Sequence, residues 1–252
     1  MTGWAVVTGA SGGLGAGFAK ELARQGANLI LVARSADKLE TLADELRARY
    51  RIQVETWPCD LVNRGARAVL AADLASREIH TLVNNAGFGS IGDFTDLPQE
   101  RISAEVELNV AALTDLTRTV LPGMKQRDRG AVINIASTAA FQPIPGFTTY
   151  AATKSYVLRL SIGLWAELHN TGVRVLAVCP GPTDTGFFSA AGNDQVMGHR
   201  RSVEQVVATS FKALRRHRPY VVDGVGNTIM AEATRLVPAT WVSQMAGWIA
   251  SH

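Results

Sequence analysis

Trp4-Ala-Val-Val-Thr-Gly-Ala-Ser-Gly-Gly-Leu-Gly15 is a short apolar run that breaks into glycines, and Phe18, Leu22 and Ala23 recur beyond it at helical spacing. Strand, glycine turn and helix in that order form a phosphate-binding unit. Glycine allows a tight turn and close approach of backbone to a pyrophosphate, whose charge faces the amides at the helix N-terminus. Three residues separate Gly9 from Gly13, and Gly15 follows, a spacing unlike the common Gly-x-Gly-x-x-Gly.

Outward from this turn, apolar strand-like runs alternate with amphipathic helical segments. Residues 28–33 read as the second strand, 35–50 as a helix with Leu39, Leu42, Ala43 and Leu46 inward, and 52–57 as the third strand. A helix over 64–77 precedes a strand over 79–83 that ends in Asn84-Asn85-Ala86-Gly87. A long helix over 98–127 carries Asn109 inside it, where asparagine has only modest propensity. Strands at 131–136 and 173–178 flank a helix running from 149 to about 170. The latter strand ends in Cys179-Pro180-Gly181-Pro182-Thr183-Asp184-Thr185, with prolines fixing the path and hydroxyls able to bond a ligand. Ser202 caps a helix to about 217, and 220–222 form a short seventh strand. The pattern predicts an α/β fold, a doubly wound parallel sheet whose ligand lies outside the carboxyl ends of the strands. Residues 183–201 read as a lid and 225–252 as a helical extension.

Composition sets bounds on function. The 252 residues are 47% hydrophobic and 19% charged, which fits a buried parallel sheet in a single domain spanning 1–252. A formal charge of +3 gives no compositional support to nucleic-acid binding. Cys59 and Cys179 lack metal-ligand spacing and read as reduced and buried, the five histidines are scattered, and no metal site is expected. With no leader before Trp4 and no long apolar window, the expected compartment is the cytoplasm. The basic run Lys212, Arg215, Arg216 and Arg218 reads as a solvated helix end.

Chemistry is carried by residues 137–154. Tyr150 and Lys154 lie four apart, one helical turn, which places an ammonium beside a phenol. An unperturbed phenol titrates near roughly 10, and a neighbouring cation is expected to pull that value toward working pH. Ser137 ends the strand before, so hydroxyl and phenol can converge on one carbonyl oxygen.

The joint occurrence, in order, of the glycine turn, Asn-Asn-Ala-Gly, Asn109, Ser137, Tyr150-x-x-x-Lys154 and Pro180-Gly181 resembles the short-chain dehydrogenase/reductase family in its compact form, over residues 4–223. The resemblance implies a Rossmann-like domain with a seven-stranded sheet ordered 3-2-1-4-5-6-7. It implies that Tyr150 is the acid/base, that Lys154 lowers its pKa and bonds the nicotinamide ribose, that Ser137 orients the substrate oxygen, and that Asn109 holds a water linking Lys154 to solvent. Cofactor contacts are implied at Gly9, Ser11, Gly13, Leu14, Gly15, Arg34, Asp60, Leu61, Asn85, Ala86, Gly87, Tyr150, Lys154, Pro180, Gly181, Thr183 and Thr185.

Two departures matter. Ala33 stands where NAD-preferring relatives often carry an acid, and Arg34 follows, so NADP(H) is expected over NAD(H). The tail beyond residue 223 carries Ile229, Ala233, Leu236, Trp241, Met245, Trp248 and Ile249 at helix-like spacing, expected to pack in the core or between subunits, with membrane-surface contact as the other reading. The expected activity is NADP(H)-dependent interconversion of a hydrophobic carbonyl and its alcohol, in a homodimer or homotetramer, with Phe141, Phe147, Phe187 and Phe188 near the mouth. A non-catalytic dinucleotide sensor is the alternative and would be expected to lose Tyr150 or Lys154.

Overall fold

Why successive strands are apolar on both sides is plain in the computed structural model, which describes residues 3–185, 187, 200–234, 237–238 and 240–241. Seven strands, β1 (Trp4–Thr8), β2 (Asn28–Ala33), β3 (Val54–Pro58), β4 (Ile79–Asn84), β5 (Gly130–Ile135), β6 (Val173–Cys179) and β7 (Tyr220–Val222), form one sheet. Their order is β3-β2-β1-β4-β5-β6-β7, with every neighbouring pair parallel. The helices are α1 (Gly13–Arg24), α2 (Ala36–Tyr50), α3 (Arg64–Ala75), α4 (Gln99–Val106), α5 (Leu113–Gln126), α6 (Thr148–Glu167), α7 (Val203–Arg215) and α8 (Val225–Ala233). A π-helical turn, Glu107–Ala112, joins α4 to α5, and a 3-10 turn, Thr138–Phe141, follows β5.

Side chains alternate across a strand, so Val6 and Val7 enter different cores. Val7, Leu29, Leu31, Ile133 and Leu176 pack against Phe18 and Leu22 of α1, Leu39 of α2 and Phe211 of α7. On the other face Val6, Ile30, Leu82, Val132 and Val175 meet Leu70 of α3 and Leu116, Val120 and Met124 of α5. Burial on both faces produces the continuous apolar runs. The direction in which successive strands are added to the sheet reverses between β1 and β4, which opens a crevice at the carboxyl ends of these two strands.

Local signals set most helix boundaries. Ser202 and Gln205 form a capping box at α7, and Asn63 caps α3 by accepting from the Ala66 amide. Buried Arg67 ties α3 to the long helix, donating to Glu107 at 2.8 Å, Asp115 at 2.8 Å and the Leu61 carbonyl at 2.8 Å. Arg64 and Arg67 together hold the Glu107 carboxyl down to about 2. Both cysteines are buried and free, and Lys212, Arg215, Arg216 and Arg218 are exposed.

The described apolar residues of the tail lie mostly outside the core of the single chain. Within α8, Ala231 is the buried residue, whereas Val225, Ile229 and Met230 face solvent. Asn227 is turned inward by a bond to the Asp223 carbonyl, and Ala231 follows it one turn on, so the stripe beginning at Ile229 lies on the outer side. Trp241 is also exposed, while Leu236, Met245, Trp248 and Ile249 lie outside the described residues. So does most of the expected lid, 186 and 188–199. Among the described residues, no helix is long and apolar enough to cross a membrane, and no His, Cys, Asp and Glu group could hold a metal.

Candidate active site

The crevice is built first by a cross-tie between β1 and β4. Thr8 Oγ1 accepts from the amides of Asn85 and Ala86, each at 3.0 Å. Asn85 Nδ2 donates in return to the carbonyls of Thr8 and Gly9 at 3.0 and 3.2 Å. Glycine is required here: a Cβ on Gly9, whose φ is 65°, would stand 2.8 Å from Asn85 Nδ2, and one on Gly15 would stand 2.2 Å from the Gly9 carbonyl oxygen. Gly13 also has positive φ, 51°, and a Cβ there would lie 3.1 Å from the Thr185 methyl across the crevice.

No side chain caps the N-terminus of α1, and its first turn holds no acid, so its amides suit a pyrophosphate. Ser11 and Leu14 belong to this turn. Arg34 is exposed just past β2 and makes no hydrogen bond or ion pair among the described residues. Asp60 is exposed and accepts from the Val62 amide at 3.1 Å, while Leu61 is buried behind it. The residues present therefore fit a nicotinamide dinucleotide, whose pyrophosphate the glycine turn and the amides of α1 would take.

On the other bank, β5 ends at Ile135 and Ser137 opens the 3-10 turn, its Oγ accepting from the Ala139 amide at 3.1 Å. Helix α6 begins at Thr148 and presents Tyr150 and Lys154, 7% and 5% exposed. Lys154 Nζ donates to the Ile135 carbonyl at 2.7 Å and lies 5.6 Å from the centre of the Tyr150 ring. Phe147 stacks on that ring at 4.3 Å and Phe187 flanks it at 5.3 Å. Gly89 makes the stack possible, since a Cβ there would meet the Phe147 ring at 2.6 Å and Tyr150 Cδ2 at 3.0 Å. Phe141 instead packs against Tyr220, away from this cluster, and Phe188 is outside the described residues.

Electrostatics correct the expected pKa of the phenol. Burial pushes Tyr150 above the ordinary phenol range, with hydrogen bonding by Ser137 opposing it only in part. The same dryness brings Lys154 down to about 8 and pushes the Cys179 thiol up to about 12. Sequence spacing identifies the neighbour of the phenol but not how little water reaches it. The result is a phenol held as the neutral acid, the form that can protonate an alkoxide.

Asn109 sits inside the π-helical turn and is buried. Its Oδ1 accepts from the Phe88 amide at 3.1 Å, and its Nδ2 donates to the Phe88 carbonyl at 2.8 Å and to Thr153 Oγ1 at 3.1 Å. The side-chain amide clamps the loop after β4 onto α6. A Cβ on Gly87 would stand 2.8 Å from Asn109 Oδ1 and 3.5 Å from Lys154 Nζ, so this loop passes directly over the ammonium. Beyond β6, the Pro180 carbonyl accepts from the Thr138 amide at 2.9 Å, and Thr183 Oγ1 donates to the Gly181 carbonyl at 2.9 Å. A Cβ on Gly181 would collide with the Asn227 amide at 2.3 Å. Arg201 pairs with Thr183 across a β-bridge and reaches fully buried Asp223 through two bonds of 2.8 and 3.1 Å. Sequence reading passed over Thr8, Gly89, Glu105 and Asp223. Only Thr8, the last residue before the glycines, carried a positional signal.

A doubly wound sheet whose glycine-lined crevice lies beside a neutral phenol, a hydroxyl and an ammonium suits the chemistry of a nicotinamide-dependent oxidoreductase of alcohols and carbonyls. The chain belongs to the short-chain dehydrogenase/reductase family: the short chain dehydrogenase profile matches residues 3–196. It is similar to hydroxysteroid dehydrogenase-like protein 1 of Gallus gallus, 36% identical over 70% of this chain and 54% of that protein. It also resembles 17-beta-hydroxysteroid dehydrogenase type 3 of Danio rerio, 32% identical over 96% of this chain and 78% of that protein. The chain thus spans little more than half of the first of these relatives. Among solved structures, the short-chain dehydrogenase from Sphingobium yanoikuyae in complex with NADPH aligns with a TM-score of 0.85 at 34% identity, covering 92% of this chain and 93% of that one. The bulky-bulky ketone specific alcohol dehydrogenase from Comamonas testosteroni aligns with a TM-score of 0.80 at 31% identity, covering 93% and 92%.

Proposed function

We propose that the chain uses NADP(H) to interconvert a bulky hydrophobic ketone and its secondary alcohol. The observation that carries the reading is the stack of Phe147 on Tyr150 with Phe187 beside it, an aromatic wall around the acid that favours a flat apolar substrate. The names of the relatives, a hydroxysteroid dehydrogenase and a bulky-ketone alcohol dehydrogenase, support the same substrate class. When bound, the nicotinamide cofactor supplies or accepts the hydride. Ser137 orients the substrate oxygen and Tyr150 gives it a proton in reduction. Lys154, charged below about pH 8, stabilises the phenolate that this leaves. Exposed Val106 on α4 and Tyr156 on α6 support a reading in which two copies pair through these helices.

Arg34, free beside a β2 terminus that ends in Ala33 and lacks an acid, supports NADPH, since a guanidinium grips a 2′-phosphate through two donors. The test is NADPH and NADH oxidation with aryl ketones, steroid ketones and 3-oxoacyl thioesters, for the natural chain and Arg34→Ala. The variant is expected to lose kcat/KM with NADPH by ~10- to 100-fold, the effect of one charge-assisted contact, and to keep that with NADH. Equal losses with both cofactors, or a natural chain that prefers NADH, would refute the cofactor assignment. Failure with every bulky ketone would refute the substrate class.

A further inference from the structure

Glu105 lies one turn before Asn109, on the side of α4 that packs against α6. It is 0% exposed, and neither carboxylate oxygen completes a hydrogen bond, although the hydroxyl and amide of Ser90 face it. A buried carboxyl without partners is costly, and a hydrophobic residue would fill the same place at no such cost. What stands around it explains its presence. Arg101, one turn earlier on α4, donates to Ser90 Oγ at 3.0 Å and to the Gly89 carbonyl at 3.2 Å. Gly89 in turn touches Tyr150, and Gly87 passes over Lys154. Glu105 therefore sits behind the loop that covers the acid and its cation, close enough that its charge acts on both.

We infer that Glu105 is a positioning residue that keeps Lys154 charged and Tyr150 protonated, so that the site stands loaded for proton delivery. The inference rests on the reading of Tyr150 as the acid. An anion in a dry interior favours a neighbouring ammonium and disfavours a neighbouring phenolate, and both effects hold the proton on the site. Burial pushes the Glu105 carboxyl above its ordinary range, and the facing hydroxyl and amide of Ser90 and the nearby Arg101 guanidinium oppose that shift and favour its charged form. The Cys179 thiol at the end of β6 is neutral until about 12.

The chain has five lysines, so the side-chain carbon next to the Lys154 nitrogen can be followed by NMR of lysine-labelled full-length protein. Its midpoint in the natural chain is expected near 8. In Glu105→Gln it is expected to fall by ~1 unit or more, the scale of a lost opposite charge. The alkaline limb of kcat/KM for ketone reduction should move down with it. A folded Glu105→Gln protein whose Lys154 midpoint stays in place overturns the inference, even if its melting temperature changes, because a purely structural acid alters stability and not this titration. If Glu105→Gln fails to fold, the same titration on Glu105→Met, which fills the volume without polar atoms, decides the matter. A natural chain that reduces no ketone but shows the shift removes the catalytic reading and leaves the coupling of Glu105 to Lys154 standing.

Discussion

Replacing Lys154 by methionine should abolish activity and stabilise the protein. The ammonium is 5% exposed and holds one bond, to the Ile135 carbonyl at 2.7 Å, and burial brings its pKa from 10.5 to about 8. At pH 7 that depression corresponds to about 3 kcal/mol of folding free energy lost to keeping the charge in the site. The sign follows from the folded value lying below the unfolded one. Between about pH 8 and 10.5 the unfolded chain binds more protons, so the stability of the natural protein rises with pH across that window. Methionine removes the charge penalty and fills similar volume, but it leaves the Ile135 carbonyl without a donor, at a cost of ~1–2 kcal/mol. The net gain at pH 7 is ~1–2 kcal/mol, an increase of roughly 2–4 °C in Tm for a chain of this size. Calorimetry at pH 7 and pH 10.5 provides the check. The gain should be present at the first and absent or reversed at the second. A variant less stable than the natural chain at pH 7, or equally stabilised at both pH values, would show that burial does not penalise Lys154.

Two further outcomes follow from the site. Tyr150→Phe should bind NADPH as the natural chain does, by fluorescence titration, while turnover falls by at least ~10²-fold through loss of the general acid; unchanged turnover would remove Tyr150 from the chemistry. Arg201→Ala strands the fully buried Asp223 carboxylate without its two guanidinium donors, and urea unfolding should report a loss of ~3–5 kcal/mol. A loss below ~1 kcal/mol would mean that water or another donor reaches Asp223, and Asp223→Asn in the same background should recover part of a real loss.

The sheet was legible because parallel strands covered on both faces leave unmistakable apolar runs, and because Gly9, Gly13 and Gly15 can be read as backbone geometry. The positions of Ser137, Tyr150 and Lys154 followed from spacing along one strand and one helix. Other features depend on contacts distant in sequence. Glu105 stands between Ala104 and Val106 in a polar stretch and reads as a surface residue, because nothing local reveals that Gly89 and α6 cover it. The π-helical turn has no composition of its own and is set by the bonds of Asn109 to Phe88 and Thr153. In α8, a helix of nine residues, apolar spacing alone could not show whether the side carrying Ile229 meets β7 or faces outward, and it faces outward.

The wide turn at Glu107–Ala112 also constrains how this helix can change in length. It holds one more residue than an α-helical turn, and each residue of an α-helix advances the chain by about 100°. Deleting a single position there would let the turn close as regular α-helix and leave α4 and α5 in the same phase, whereas deleting one between Arg101 and Glu105 in α4 would swing Arg101 through about that angle. Arg67 would still grip Asp115 in either case, but the deletion in α4 would carry Arg101 away from Ser90 and Gly89. The wide turn can lose a residue where the regular helices on either side of it cannot.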